Sequence, residues 1–294
     1  MVRKEDILEI AVLGAGTMGN GIAHVCGLSG RNVHLMDSDS NRLELGKQTI
    51  QKNLERMIKK GVIDTTQRDQ TLDHIELHTQ LDEAIQSCDL IIEAIPEQFE
   101  IKKQLWKSVD ALLSERTETN YPILATNTSS ISITKLAEVM SRPEKMIGMH
   151  FFNPVPIMPL VEIIVSKHTH QDVFNGIHEL TLSYNKTPIK VQDRPGFVSN
   201  RILMPMINEA VYALYEQVAD AESIDQVMTL GMAHPMGPLR LADFIGLDVC
   251  VNIMQVLYDG FGDEKYLPCP LLVEKVERGE LGNKTGKGFF SYSG

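Results

Sequence analysis

The sequence predicts an α/β domain over residues 1–192 followed by an all-helical domain over residues 193–294. Three observations carry that expectation. An apolar run, Ile7-Leu8-Glu9-Ile10-Ala11-Val12-Leu13, leads straight into Gly14-Ala15-Gly16-Thr17-Met18-Gly19, where a helical pattern begins. Strand-like and helix-like segments then alternate as far as Pro188-Ile189-Lys190-Val191, the rhythm of a mostly parallel sheet covered by helices. Past the turn signal Asp193-Arg194-Pro195-Gly196 no strand pattern recurs. A chain of 294 residues, 43% hydrophobic and 23% charged, is large enough for two ordinary globular domains.

The first helix is marked by Met18, Ile22, Val25 and Cys26 at i, i+4, i+7 and i+8, and Ser29-Gly30 stops it. A second strand, Val33 to Met36, ends at Asp37, 18 residues past the last glycine. Strand, G-x-G-x-x-G, helix, strand and acid together make a Rossmann-like dinucleotide site. The glycines let the backbone approach a pyrophosphate, and the helix N-terminus offers it free N–H groups and a positive dipole end. Asp37 can accept from ribose hydroxyls and would repel a 2′-phosphate, which favours NAD over NADP. Arg31 and Arg42 lie close by, so some NADP use stays open. The expected cofactor contacts here are Gly14, Ala15, Gly16, Thr17, Met18, Gly19 and Asp37.

From Arg42 to Lys60 the residues Ile50, Leu54, Met57 and Ile58 trace a helical stripe, Gly61 ends it, and a short helix is expected near Thr66 to Leu72. A helical hairpin is thus inserted where a short connection would suffice. Lys59 and Lys60 at its tip have two readings. They are solvated lysines favoured at a helix C-terminus, or a grip on a phosphorylated substrate tail.

Leu90 to Ile95 reads as a central strand, followed by Pro96 and Glu97, and Phe99 to Leu113 as an amphipathic helix. Ile123 to Thr126 is a buried strand ending in Asn127-Thr128-Ser129-Ser130, with a helix expected from Ile133 to Met140. Met146 to Met149 is a strand with His150 after it, Leu160 to Val165 a strand carrying Glu162, and Asp172 to Tyr184 a helix. Ligands of open α/β sheets lie at the carboxyl ends of strands, where Glu97, Asn127, Ser129 and His150 fall. Ser129 could instead cap a helix, as could Ser130 and Ser132. Between His150 and Glu162 stand Pro154, Pro156 and Pro159, each with φ nearly fixed. Such a loop can set an imidazole at one strand end against a carboxylate on the next. The carboxylate then fixes the tautomer and stabilises the imidazolium, leaving the other nitrogen to move a proton. The plainer alternative is a surface loop with a structural His and a solvated Glu. A Ser–His–Asp hydrolase lacks its G-x-S-x-G elbow here and leaves the glycine run unexplained. Long helices are expected near Phe197–Gln217, Ala221–Leu230, Leu239–Tyr258 and Pro270–Arg278, apolar enough to bury a face against a second subunit.

A net charge of −11 opposes non-specific binding to nucleic acid or anionic membrane. No apolar run of about 18 residues predicts a membrane span, and the acidic N-terminus does not read as a signal peptide. Cys26, Cys88, Cys250 and Cys269 form no C-x-x-C pair and read as reduced, buried thiols of a cytoplasmic protein. No metal site is expected.

The chain resembles the L-3-hydroxyacyl-CoA dehydrogenases, most of all the short bacterial members acting on 3-hydroxybutyryl-CoA. The resemblance runs nearly end to end. It rests on Leu13 to Gly19 with Asp37, Glu93-Ala94-Ile95-Pro96-Glu97, Asn127-Thr128-Ser129-Ser130 and Gly148-Met149-His150-Phe151-Phe152-Asn153-Pro154-Val155-Pro156. It continues in Pro195-Gly196-Phe197-Val198-Ser199-Asn200-Arg201, Pro235-Met236-Gly237-Pro238 and Lys284-Thr285-Gly286-Lys287-Gly288-Phe289. Pro96 departs from the pattern, replacing an aliphatic residue. The resemblance implies His150 as catalytic base, Glu162 as its partner, and Ser129 and Asn200 as holders of the substrate's 3-oxygen. It implies Glu97, Lys102, Ser129, Asn153 and Lys284 beside the nicotinamide half of NAD. It places Lys60, and Asn53 where the family has a serine, near CoA. The implied reaction is reversible NAD-dependent oxidation of a 3-hydroxyacyl-CoA by a homodimer joined through its helical domain. Two rivals remain: a dehydrogenase of free 3-hydroxy acids such as L-gulonate, and a non-catalytic, crystallin-like NAD-binding protein. The presence of His150, Glu162, Ser129 and Asn200 together argues against the second.

Overall fold

A computed structural model describes residues 4–292. The chain divides into two compact units, Met1–Asp193 and Arg194–Gly294, one residue beyond the expected boundary at Gln192. In the first unit the order is β1 (Glu9–Leu13), α1 (Thr17–Leu28), β2 (Asn32–Met36), α2 (Ser40–Lys59), α3 (Thr65–Asp73), β3 (Ile75–His78), α4 (Leu81–Ile85) and β4 (Leu90–Glu93). There follow α5 (Phe99–Leu112), β5 (Ile123–Thr126), α6 (Ile133–Ala137), β6 (Met146–Phe151), β7 (Leu160–Val165), α7 (Gln171–Ser183) and β8 (Thr187–Gln192).

All eight strands form one sheet in the order β3-β2-β1-β4-β5-β6-β7-β8. Strands β1 to β6 run parallel, while β7 is antiparallel to β6 and parallel to β8. Strand order reverses between β1 and β4, the point where open α/β sheets bind ligands. The central strands β4, β5 and β6 are buried throughout, as expected for strands covered on both faces. Ile10, Val12, Leu35 and Ile92 pack in one core with Ile22 and Val25 of α1 and Ile177 and Leu180 of α7. The hairpin of α2 and α3 packs on α1.

Several boundaries differ from the sequence expectation for physical reasons. β1 starts at Glu9 because Asp89 Oδ2 takes the Leu8 and Glu9 N–H groups at 2.9 and 3.0 Å, and Leu8 is exposed. His150 lies inside β6, not after it, since pairing continues through Phe151↔Val161. Helix α6 stops at Ala137, short of Met140. Strand β3 and helix α4 were not expected: each is too short for its alternation to register.

The second unit is helical: α8 (Ser199–Tyr215), α9 (Ala221–Gln226), α10 (Pro238–Ile245), α11 (Leu247–Phe261) and α12 (Pro270–Glu277). The single helix expected from Leu239 to Tyr258 is two helices bent by 97°. Gly246 makes the corner with φ +107°, a conformation side-chain-bearing residues avoid. The helix expected to reach Leu230 leaves α-geometry after Gln226 and continues as a π-type turn over Val227–Gly231. Among the described residues no single helix is long and apolar enough to cross a membrane.

His24 in α1 is fully buried, and neither ring nitrogen has a hydrogen-bond partner among the described residues. Burial, with a smaller push from the Lys186 charge, lowers its pKa from 6.5 to about 4. The unfolded chain therefore binds more protons than the native one between those values, and stability falls as pH drops through that window. The full shift corresponds to roughly 3 kcal/mol. Urea unfolding at pH 7 and near pH 4 is expected to show that loss, and His24→Leu is expected to shrink it.

Candidate active site

His150 and Glu162 sit directly opposite each other in the β6–β7 pair. Such cross-strand neighbours put their Cβ atoms about 5 Å apart, near enough for imidazole and carboxylate to meet. His150 Nδ1 lies 2.8 Å from Glu162 Oε2, and the two residues are 8% and 3% exposed. The contact is therefore sheltered from water, where a charge-assisted bond is strong. The Phe152 ring packs 4.6 Å from the imidazole, centroid to centroid. Gly148, two residues back on the same face, has no room for a side chain. A Cβ there would stand 2.8 Å from Ile164 Cβ and 2.9 Å from Ile133 Cδ1, so α6 and β7 close down beside the dyad. Asn127 Oδ1 accepts from the Phe151 N–H at 3.0 Å and ties the end of β5 to that of β6.

The glycine run occupies the turn from β1 into α1. Gly14 has φ +104°, and a Cβ on it would stand 2.7 Å from the Ala94 carbonyl oxygen. Position 16 differs: a Cβ on Gly16 would meet nothing within 4 Å. Among the described residues no side chain caps the N-terminus of the 12-residue α1, the end of a helix that favours an anion. Asp37 Oδ2 accepts from Ala15 N at 3.0 Å, and Oδ1 from Asp39 N at 3.1 Å. The acid is thereby fixed beside the turn with lone pairs to spare for hydroxyl donors. Room at Gly16, uncapped N–H groups and an oriented carboxylate are what the pyrophosphate and ribose of a dinucleotide require.

After β4 comes a buried ionic cluster. Glu93 is fully buried at the end of that strand. Its Oε1 accepts from Lys102 Nζ at 2.5 Å and from Ile95 N at 2.8 Å, and its Oε2 from Thr126 Oγ1 at 2.6 Å. Lys102 also reaches Glu97 Oε2 at 3.4 Å and the Ile95 carbonyl at 3.2 Å. Glu97 Oε1 gathers Thr128 Oγ1 at 2.5 Å, Ser129 N at 2.9 Å and Oγ at 3.2 Å, and Ser130 N and Oγ at 3.0 Å. Burial alone would raise the Glu97 pKa. The Lys102 charge and these donors outweigh it and hold the carboxyl below the usual glutamate range. Lys102, expected to touch the cofactor, has a side chain with 0% exposure. In this structure it presents no surface to a ligand and instead holds Glu97 in place. Pro96 lacks an N–H, and its carbonyl accepts from Gln98 N at 2.8 Å.

The loop between His150 and Glu162 is held from beneath by Lys186. Its Nζ donates to the Val155 and Met158 carbonyls at 2.6 and 2.7 Å, and burial lowers its pKa. Asn153 lies at the start of this loop, with a cis peptide to Pro154. On the hairpin, Lys59 and Lys60 are exposed, and Asn53 Oδ1 accepts from Arg56 Nη1 at 3.4 Å. At about 100° per residue, positions 53 and 56 of α2 and its C-cap Lys60, still in αR geometry, fall on one stripe.

Residues 9–194 match the family domain described as 3-hydroxyacyl-CoA dehydrogenase, NAD binding domain, and residues 196–292 match its C-terminal domain. The chain belongs to the 3-hydroxyacyl-CoA dehydrogenase family. It is 48% identical over 288 residues to a 3-hydroxybutyryl-CoA dehydrogenase of Bradyrhizobium diazoefficiens, covering 98% of this chain and 96% of that one. It is 47% identical over 287 residues to a probable 3-hydroxybutyryl-CoA dehydrogenase of Bacillus subtilis, covering 98% of each. The crystal structure of (S)-3-hydroxybutyryl-CoA dehydrogenase from Ralstonia eutropha superimposes with a TM-score of 0.93 at 45% identity, covering 98% of this chain and 100% of that one.

Within this family member, two of the expected site residues lie in the helical unit. Asn200 is the second residue of α8 and is 8% exposed. Lys284 Nζ is bound by both oxygens of Asp248, at 2.5 and 2.7 Å. Nearby, Asp243 is 1% exposed and accepts from Phe289 N, Phe290 N and Tyr292 Oη, each at 2.9 Å. That explains why the Lys284–Phe289 segment folds back on α10. Sequence reasoning passed over Glu93, Lys186 and Arg56. Glu93 did leave a signal, an acid inside an otherwise apolar strand. Lys186 left none, because its partners are backbone carbonyls far along the chain.

Proposed function

We propose that this chain catalyses the reversible, NAD-dependent oxidation of a short-chain (S)-3-hydroxyacyl-CoA, foremost 3-hydroxybutyryl-CoA, to the 3-oxoacyl-CoA. The observation that carries this reading is the buried 2.8 Å contact between His150 and Glu162, beside β5 and on the sheet whose β1 turn carries the dinucleotide fingerprint. NAD, when bound, supplies the hydride acceptor.

Glu162 holds Nδ1, so proton transfer falls to Nε2. His150 takes the alcohol proton there while Glu162 stabilises the imidazolium, and the same pair returns the proton in the reverse direction. Ser129 and Asn200 orient the 3-oxygen, which counts because small misplacements are costly. Gly14, Ala15, Gly16, Thr17, Met18 and Gly19 with Asp37 hold the adenosine and pyrophosphate. Glu97, Ser129, Asn153 and Lys284 serve the nicotinamide side, Glu97 kept ionised by Lys102. Lys60 and Asn53, with Arg56 on the same stripe, meet the CoA phosphates. The length of the α2–α3 hairpin and the exposed Lys59 and Lys60 at its tip support a CoA thioester over a free hydroxy acid.

NADH formation from 3-hydroxyacyl-CoA thioesters of increasing chain length, with L-gulonate and NADP alongside, tests the reading. Turnover is expected on 3-hydroxybutyryl-CoA with NAD and to be far weaker with NADP. Turnover on L-gulonate alone would replace it. A homodimer through the helical unit is part of the proposal, supported by exposed Ile202, Val218, Leu230 and Phe244. Sedimentation of the full chain reads it directly. The proposed setting is the cytoplasm, in keeping with four free, buried cysteines.

A further inference from the structure

We propose that His34, Glu76 and His78 form a binding site for a divalent transition-metal ion of the zinc class, separate from the dehydrogenase site. Strands β2 and β3 pair in parallel with His34↔Glu76 and Met36↔His78. Because side chains alternate along a strand, positions 34, 76 and 78 share one face of the sheet. His34 Nδ1 lies 3.0 Å from His78 Nε2 and 3.8 Å from Glu76 Oε2, and His78 Nε2 lies 3.7 Å from the same oxygen. Tetrahedral zinc with nitrogen and oxygen donors near 2.0–2.1 Å spaces its ligands roughly 3.3–3.5 Å apart. The triangle brackets that spacing, so shifts of a few tenths of an ångström complete it.

The groups behind the donors strengthen the case. Metal-bound imidazoles usually give their other N–H to a carboxylate, which orients the ring and raises its basicity. His34 Nε2 lies 3.0 Å from Glu9 Oε2, and His78 Nδ1 lies 3.9 Å from Glu83 Oε2. The His34 ring therefore has a carboxylate within hydrogen-bond reach on the side away from the triangle, while Glu83 stands behind His78 at 3.9 Å without bonding it. Without metal, two ring nitrogens 3.0 Å apart share one proton. Glu9 takes the His34 Nε2–H, so His34 Nδ1 accepts from His78 Nε2–H. An ion replaces that proton, and His78 carries its N–H on Nδ1, toward Glu83. Three protein donors leave a fourth position for water. The sequence expectation of no metal rested on the cysteine spacing alone, and β3, which supplies two of these donors, is not legible in the sequence.

The site would clip the edge strand β3 to β2 close to Asp37, whose N–H donates to the His78 carbonyl at 3.2 Å. The sheet order puts β1, β4 and β5 between it and the β6 strand of His150, so the two places are separable by experiment. Zinc titration of the full-length chain by calorimetry against a competing chelator is the test. One equivalent is expected to bind, to raise the thermal midpoint by several degrees, and to be lost in His78→Ala and Glu76→Ala. Glu76 has a 69% exposed side chain, so its variant guards against a folding artefact. Glu9→Gln is expected to weaken binding roughly 10–100-fold. NADH formation by all three variants should match the wild type. No zinc bound by the wild type, or an equivalent that survives in both His78→Ala and Glu76→Ala, would overturn the proposal. So would one that disappears only in His150→Gln.

Discussion

Replacing His150 with Gln is expected to lower kcat for NADH formation by roughly 10²–10⁴-fold, the usual worth of a positioned acid–base group. The amide fills similar space and can still hydrogen-bond Glu162, but it cannot take a proton. NAD affinity should hardly change, because the fingerprint and Asp37 lie on β1, α1 and the end of β2. Equilibrium NADH binding measured beside turnover separates the two effects. Lost binding with lost turnover would point to collapse of the loop that Lys186 holds, and unchanged turnover would remove His150 from the chemistry.

Lys102→Met is expected to cost about 3–5 kcal/mol of stability, the usual penalty for stripping one partner from a buried ion pair. Glu93 and Lys102 both have 0% side-chain exposure at 2.5 Å, so the remaining carboxylate can neither reach water nor find another cation. Glu97 loses the charge that holds its pKa down and should bind protons more readily. Denaturant unfolding reads the first effect. The double variant Glu93→Gln, Lys102→Met should recover part of the loss, since it removes the orphaned charge. A loss below about 1 kcal/mol for the single variant would show that desolvation already offsets the pair.

What was legible follows from how each element buries itself. β5 and β7 appear at the bounds expected from their continuous apolar runs. The Rossmann-like order rests on a glycine motif whose chemistry is local, so residues 14–19 can be read without knowing the sheet. β3 has only Ile75 and Leu77 to betray it. The bend at Gly246 hides inside an unbroken helical stripe, because a corner between two buried helices keeps both faces apolar. For the site, residue types point to His150 and Glu162, but their contact depends on the β6–β7 register, which nothing in a twelve-residue spacing specifies. Lys102 was assigned to the cofactor by resemblance. Its burial against Glu93 depends on how α5 returns over β4, a tertiary fact that its own neighbours do not encode.

The most direct test of the central claim, that Glu162 makes His150 a proton-transfer group, is the pH profile of kcat for Glu162→Gln against the wild type. Gln is nearly isosteric and can still accept from Nδ1, so only the charge is lost. The dyad account predicts a fall of roughly 10²–10⁴-fold in kcat, a changed pH profile, and unaltered NADH affinity. A variant that turns over within twofold of the wild type across the whole pH range would contradict it.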